Sequence, residues 1–73
     1  MPKLPVVWGA EAVRALQRLG FLVVRQRGGH IVMRRASSGC VVPNHIELKT
    51  GTLSGVLKQA GISADEFIAA LHA

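Results

Sequence analysis

One histidine in this chain stands where an imidazole could act on a phosphodiester. His30 directly follows the pair Gly28-Gly29, and arginines lie close to it on both sides in the sequence. An imidazole, with an ordinary pKa of about 6.5, exchanges its proton near neutral pH, and guanidinium groups bind phosphate oxygens. The spacing therefore predicts a site that holds and cuts a phosphodiester, with His30 as general base or acid.

The Gly28-Gly29 pair predicts a β-hairpin with a two-residue turn, because glycine reaches the positive φ that a type I′ turn needs at both central positions. This turn fixes the pairing of strands over 21–27 and 30–35. The predicted pairs on the first face are Arg27 with His30, Arg25 with Val32, and Val23 with Arg34. Those on the second face are Gln26 with Ile31, Val24 with Met33, and Leu22 with Arg35. The first face is basic and open to water, whereas the second is mostly aliphatic and suits a core.

Basic residues are concentrated in the half of the chain that contains this hairpin. Residues 1–36 hold seven Lys or Arg against Glu11, whereas residues 37–73 hold two Lys against three carboxylates. With a formal net charge of +5, this asymmetry favours a polyanionic partner, nucleic acid before membrane. The competing interpretation is that the arginines only keep the protein soluble. The candidate nucleic-acid contacts are Arg25, Arg27, Gly28, Gly29, Arg34, His45 and Lys49.

Other classes of chemistry find no support in the sequence. Cys40 is the single cysteine, so an intramolecular disulfide and a cysteine-based metal cage are excluded, and we interpret it as an apolar strand residue. The histidines are 15 and 27 residues apart, without metal-ligand spacing, and neither a P-loop nor a GxGxxG motif occurs. We therefore expect no metal and no cofactor. No signal-peptide or membrane-spanning pattern is visible, which predicts a cytoplasmic protein.

Helical periodicity lies on both sides of the hairpin. An amphipathic helix over 10–19 has Gly9 as its expected N-cap and Gly20 as its C-terminal stop. A second helix is expected to begin at a Thr52 cap and to end at Gly61.

A third strand and a polar connection lie between the hairpin and the second helix. A turn over 36–39 leads into a strand over 40–42, which Pro43 stops because proline cannot donate to a ladder. Residues 44–51 form the polar connection, and a capping box at Ser63 starts a last short helix. The predicted fold class is α+β, one domain over residues 1–73 in the order α-β-β-β-α with a short C-terminal helix. Its three-stranded antiparallel sheet has the helices on one face.

Six short motifs along the chain carry a resemblance to a known family. They are Leu19-Gly20-Phe21, Val24-Arg25-Gln26-Arg27-Gly28-Gly29-His30, Val42-Pro43-Asn44-His45, Glu47-Leu48-Lys49, Gly51-Thr52-Leu53 and Leu57-Lys58-Gln59-Ala60-Gly61. Together they resemble the HicA family of toxin–antitoxin mRNA interferases. The resemblance implies a double-stranded-RNA-binding-domain-like fold, a HicB-like antitoxin as partner, and RNA cleavage by the histidine after the hairpin turn, which is His30 here. The family's turn usually reads Gly-Ser-His, so Gly29 stands where a serine is usual.

The main interpretation is therefore a toxin of a type II toxin–antitoxin system, a metal-independent endoribonuclease that cleaves mRNA with His30. The alternative is a non-catalytic RNA-binding module of the same fold, which only grips phosphates. A third interpretation treats residues 52–71 as a DNA-binding helix-turn-helix, but Asp65 and Glu66 would bring negative charge into the groove. The sequence gives no signal for or against a homo-oligomer.

Overall fold

Apolar residues recur along the chain with two different periods, and each period corresponds to a helix or a strand in the structure. The computed structural model describes residues 4–44 and 46–73. The elements are β1 Val7–Trp8, α1 Gly9–Arg18, β2 Leu22–Arg27, β3 His30–Arg35, β4 Ser38–Pro43, β5 Glu47–Leu48, α2 Thr50–Ala60 and α3 Ala64–Leu71. The fold class is α+β, with the double-stranded-RNA-binding-domain-like order α-β-β-β-α in its centre, as predicted.

The central sheet is an antiparallel meander in the order β2-β3-β4. Buried and exposed residues alternate along β3 and β4, as they do in a sheet with one covered face. Helices α1 and α2 pack against this sheet and α3 packs against α1. The covered face and the helices share one core, whose largest fully buried side chains are Leu16, Phe21, Met33, Val42, Leu48, Leu53 and Phe67.

The hairpin register agrees with the prediction near the turn and departs from it farther away. Arg27 pairs with His30, Arg25 with Val32 and Gln26 with Ile31, as predicted. The register then shifts by one residue between Val23 and Arg25, which is the effect of a β-bulge. Beyond the shift, Val23 pairs with Met33 and Leu22 with Arg34. The predicted pairs of Val23 with Arg34, Val24 with Met33 and Leu22 with Arg35 are therefore wrong, because the bulge adds one residue to β2.

The turn itself also differs from the expectation in one respect. Of its two central residues only Gly28 has a positive φ, at 58°. A type II′ turn needs positive φ at the first central position alone, whereas the predicted type I′ turn needs it at both. The φ at position 29 is thus not one that requires glycine.

A second sheet joins the lead of the chain to the connection before α2. Val7 pairs with Leu48 and Trp8 with Glu47 in this two-stranded antiparallel sheet. Val7 and Leu48 are buried, so the short strands fix both segments to the core. Neither strand was predicted, because two residues are too few to show an alternating pattern.

Two helices begin earlier than predicted. The N-cap of α1 is Trp8 rather than Gly9, and its backbone N–H donates to Oε1 of Glu11 at 3.0 Å. The N-cap of α2 is Lys49, which leaves Thr52 inside the first turn. The Glu11 carboxylate thus bonds the N-cap backbone at the start of α1, where no Ser or Thr stands at the N-cap.

The remaining boundaries are close to the predicted ones. Gly20 and Gly61 follow their helices with φ values of 97° and 74°. Ser63 and Glu66 form the expected reciprocal capping box, with both bonds at 3.1 Å. Strand β4 extends the predicted 40–42 strand at both ends.

Gly9 is the point at which α1 meets the end of β4. A Cβ atom at Gly9 would collide with the carbonyl oxygen of Pro43 and would lie 2.8 Å from Cα of Asn44. The Gly9 N–H also donates to the carbonyl of Ile46 at 3.1 Å. Glycine is required here because the two backbones touch.

Replacing Gly9 by Ala should lower the free energy of unfolding by about 1–3 kcal/mol, since the new methyl group collides with backbone atoms that cannot rotate away. Gly55→Ala is the matched control, because Gly55 also lies in a helix but a Cβ there meets no atom within 4 Å. That exchange should stabilise by roughly 0.5–1 kcal/mol. Urea unfolding followed by circular dichroism measures both. Equal stabilisation by the two changes would contradict the close contact at Gly9.

Candidate nucleic-acid interface

The uncovered face of the three-stranded sheet collects the basic side chains of the hairpin. Pairing and alternation direct Arg25, Arg27, His30 and Arg34 to this side, and all four are exposed. The register shift leaves the pairs of Arg25, Arg27 and His30 unchanged, because it lies beyond Arg25 as seen from the turn. It changes the partner of Arg34 from Val23 to Leu22 but not the face on which Arg34 lies. The structure thus brings these residues together as the sequence predicted, and we call the set the basic face.

His30 occupies the middle strand at the turn end of the sheet. Arg27 of β2 lies directly opposite it on one side and Pro43 of β4 on the other. Cβ atoms of directly opposed residues are about 4.5–5.5 Å apart. A phosphate within reach of the imidazole is therefore also within reach of the Arg27 guanidinium.

Arg34 lies at the opposite end of the basic face. It is four residues along β3 from His30, a separation of roughly 13 Å. Gly39 is its direct partner on β4, and a Cβ there would lie 3.5 Å from Cγ of Arg34. The side chain therefore extends across the glycine, at a distance that suits a different phosphate of the same strand.

Two other arginines serve the fold and not the basic face. Nη1 of Arg18 donates to the Ala70 carbonyl of α3 at 2.9 Å. Nη1 of Arg35 donates to the Leu19 carbonyl at 2.8 Å, and its guanidinium lies 4.8 Å from the centre of the Phe21 ring. These cations stabilise the C-terminal ends of α3 and α1.

The last two predicted contacts lie apart from the basic face. Lys49 is exposed and lies between β5 and α2 as the N-cap of α2, outside the three-stranded sheet. His45 lies outside the described residues. The preceding residue, Asn44, donates its backbone N–H to the Gly29 carbonyl at 2.6 Å, so the segment before His45 is tied to the hairpin turn.

Cys40 is a residue of the core, as the sequence analysis interpreted it. Its side chain is buried in β4, and this burial raises the pKa of the thiol by disfavouring the charged form. A nucleophile or metal ligand needs the thiolate. Cys40 therefore contributes packing and no chemistry.

Two features were not anticipated from the sequence. A small cavity of about 150 Å³ lies between α1 and α3, lined by Glu11, Arg14, Arg18 and Leu71. Trp8 leaves 55% of its surface exposed, and no role was predicted for it. The sequence does show an aromatic residue that belongs to none of the predicted helices or strands.

No helix within residues 4–44 and 46–73 combines the length and the apolar content needed to cross a membrane. Over the same part of the chain, His, Cys, Asp and Glu side chains do not gather in groups of three or more that could hold a metal ion.

A comparison with protein-family models connects these features to a known group. A model described as the HicA toxin of bacterial toxin–antitoxin systems matches residues 9–62. This range covers most of the 73-residue chain and includes the hairpin with the whole basic face. Comparison with curated protein sequences gives no match.

Proposed function

Since the chain belongs to the HicA family of bacterial toxin–antitoxin toxins, we propose that it is an endoribonuclease that cleaves mRNA in the cytoplasm with His30 as catalytic residue. The observation that supports this proposal best is the position of His30, exposed and directly opposite Arg27 on a basic face. An imidazole in this position could remove a proton from RNA while the neighbouring cation stabilises negative charge on the phosphate, which supports the proposal.

The proposed chemistry uses the substrate's own 2′-hydroxyl and needs no metal ion. Neutral His30 takes the proton of the 2′-hydroxyl, and the resulting oxygen attacks the adjacent phosphorus. The bond between phosphorus and the 5′-oxygen breaks, and that oxygen takes up a proton from a separate donor. The products are a 2′,3′-cyclic phosphate and a 5′-hydroxyl, so atoms and charges balance.

The arginines have two roles in this mechanism. Arg27 stabilises the negative charge that accumulates on the phosphorane, where a preorganised cation is most effective. Arg25 and Arg34 bind neighbouring phosphates and hold the strand in place. A Cβ at Gly28 would meet open space, so a bound strand can pass over the Gly28-Gly29 turn. His45 and Lys49 are the remaining proposed RNA contacts.

A non-catalytic RNA-binding module is the second candidate. The observation that favours it is Gly29, which replaces the serine usual in the family at the residue before the histidine. If that hydroxyl orients the phosphate, the basic face here would grip RNA without cutting it. Both candidates use the same arginines to bind RNA. They differ in whether His30 then cleaves it.

His30→Ala should abolish cleavage and leave the fold intact. The side chain is exposed, and such substitutions change stability by about 0.5 kcal/mol or less, whereas loss of a general base lowers the rate roughly 10²–10⁴-fold. Cleavage of a labelled RNA in EDTA, with circular dichroism alongside, measures both. His72→Ala, at an exposed histidine after α3, is the control and should cleave normally.

The outcomes of this assay distinguish the candidates. A folded His30→Ala variant that cleaves as fast as the parent would remove His30 from the mechanism. A parent that binds RNA and never cleaves it would identify the binding module. One 2′-deoxy nucleotide at the cleaved position should block the parent, because the attacking hydroxyl is then missing; cleavage of that substrate contradicts the proposed chemistry.

Replacing Arg25, Arg27 or Arg34 by Gln should weaken RNA binding alike for all sequences. Each change removes one phosphate contact, so the slope of log affinity against log salt should fall by about one unit or slightly less. Arg14→Gln is the matched control, because Arg14 is exposed on α1, which packs on the covered side of the sheet. Equal slopes for the parent and all three face variants would exclude the basic face as the RNA site.

We also propose that a HicB-like antitoxin restrains the toxin by covering the basic face. Apolar side chains adjoin the cations there, with Leu22 69% and Val24 55% exposed on β2. Strand β2 is also an edge, whereas the other edge strand, β4, donates its Val41 N–H to Oε1 of Gln59 on α2 at 3.2 Å. An acidic partner surface with an apolar patch complements this edge and would bury His30.

Leu22→Lys should therefore weaken the antitoxin complex at least about fivefold, since it places a charge in an apolar part of the interface. Ala69→Lys, at an exposed position of α3, is the control and should bind as the parent does. Titration calorimetry measures both affinities, and hydrogen exchange of β2 and β3 amides maps the covered surface. A tight, inhibited complex in which the His30 amide region gains no protection would place the restraint elsewhere.

A further inference from the structure

Trp8 is the one aromatic side chain that is not buried in the core. The chain has one Trp and two Phe, and Phe21 and Phe67 are fully buried whereas Trp8 is 55% exposed. Its indole has no part in capping α1, because the Glu11 carboxylate accepts from the backbone N–H of Trp8. Tryptophan is enriched at contact surfaces, because its ring combines a large apolar body with a polar N–H.

The position of Trp8 is fixed relative to His30. The next residue, Gly9, touches the backbone of Pro43 and Asn44, and Pro43 is the direct cross-strand partner of His30. Because these contacts connect Trp8 to His30 in series, the Cα atoms of the two residues are at most about 17 Å apart. The two side chains are therefore close enough to meet one short segment of RNA.

The charges around Trp8 favour a base over a phosphate. Glu47 is the direct partner of Trp8 on the outer side of the two-stranded sheet, and its carboxylate repels phosphate. Lys49 is exposed two residues farther along the chain, where it caps α2 with an extended backbone at φ −69° and ψ 157°. The ring thus has a direct neighbour that repels phosphate, and a cation that can bind phosphate follows two residues after that neighbour.

We infer that Trp8 is a stacking platform for one nucleobase of the single-stranded RNA whose phosphates cross the basic face. This inference rests on the proposed function, because it requires that the basic face binds RNA. Every base has a π face, so the contact tolerates different sequences. The platform gives Lys49 a place in the same interface, although it lies outside the three-stranded sheet.

The single tryptophan is its own probe. The His30→Ala chain, which keeps the RNA intact, is titrated with a short unstructured oligoribonucleotide, and the emission of its single indole is followed. Stacking should quench the emission. The quenching curve should give the same dissociation constant as anisotropy of a fluorescein-labelled copy of the oligonucleotide.

Substitutions then separate stacking from charge. Trp8→Ala should weaken RNA binding about 5- to 150-fold without changing the salt slope, and Trp8→Phe should retain most of the affinity. Val6→Ala is the matched control, since Val6 is also 55% exposed and lies on the same side of the chain two residues earlier. Its affinity should equal that of the parent.

Oligonucleotides with one abasic site complete the test. At one position, loss of the base should weaken binding to the parent as much as Trp8→Ala does, and Trp8→Ala should lose nothing further at that position. If no position behaves in this way, Trp8 does not stack on a base and the inference fails.

Three further results would overturn the inference in distinguishable ways. In the first, RNA binding depends on salt, but the fluorescence does not change and Trp8→Ala binds as tightly as the parent. The proposed function then stands, and Trp8 is not a stacking platform. Unchanged RNA affinity with loss of antitoxin binding makes Trp8 a protein-docking residue. A parent chain that binds no RNA, even at low salt, removes both the platform and the proposed function.

Discussion

The backbone of α1 touches the backbone at the end of β4, and the arrangement of the candidate site depends on this contact. Gly9 lies against Pro43 and Asn44 and donates its N–H to Ile46. Asn44 in turn donates to the carbonyl of Gly29 in the hairpin turn. The start of the helix, the end of the third sheet strand and the turn before His30 are therefore connected in series. A movement of any one of them changes the surroundings of the histidine.

The cations of this small protein are divided by the face on which each strand position falls. Successive residues of β3 alternate, so Arg34 points to solvent while Arg35 turns toward the helices. There Arg35 bonds the Leu19 carbonyl and covers the Phe21 ring, which satisfies its charge at the end of α1. The adjacent arginines have the same chemistry, but Arg35 is bonded within the fold and Arg34 is exposed on the basic face. A count of basic residues alone does not distinguish them.

The sequence could predict those parts of the fold that local chemistry decides. Glycines after α1 and α2, the capping box at Ser63 and the pairs nearest the hairpin turn all follow from interactions within a few residues. The basic face was predictable for the same reason, since Arg25 and Arg27 are counted from the turn. The role of each side chain on that face was not, because a register states position and not chemistry.

The features that sequence reasoning missed depend on contacts between distant segments. Val24 is one of three successive aliphatic residues, and nothing local marks it as the extra residue of a bulge. The pairing of Val7 with Leu48 joins residues 41 positions apart in the chain. That pairing also brings Trp8 beside Glu47, and Lys49 follows as the N-cap of α2, outside the sheet that carries the arginines. Tertiary packing, rather than propensity, decides each of these cases.

The hairpin turn shows how a glycine can be present without being required by its own backbone. The φ of 58° at Gly28 favours glycine, whereas Gly29 has no positive φ, so its own φ does not require glycine. The bond from the Asn44 N–H to the Gly29 carbonyl joins backbone atoms and involves no side chain at position 29. Relative to serine, glycine at this position lacks the hydroxymethyl group. In the proposed function, binding and positioning of a phosphate then fall to the arginines opposite and beside the histidine, whose long side chains can adjust to a bound strand.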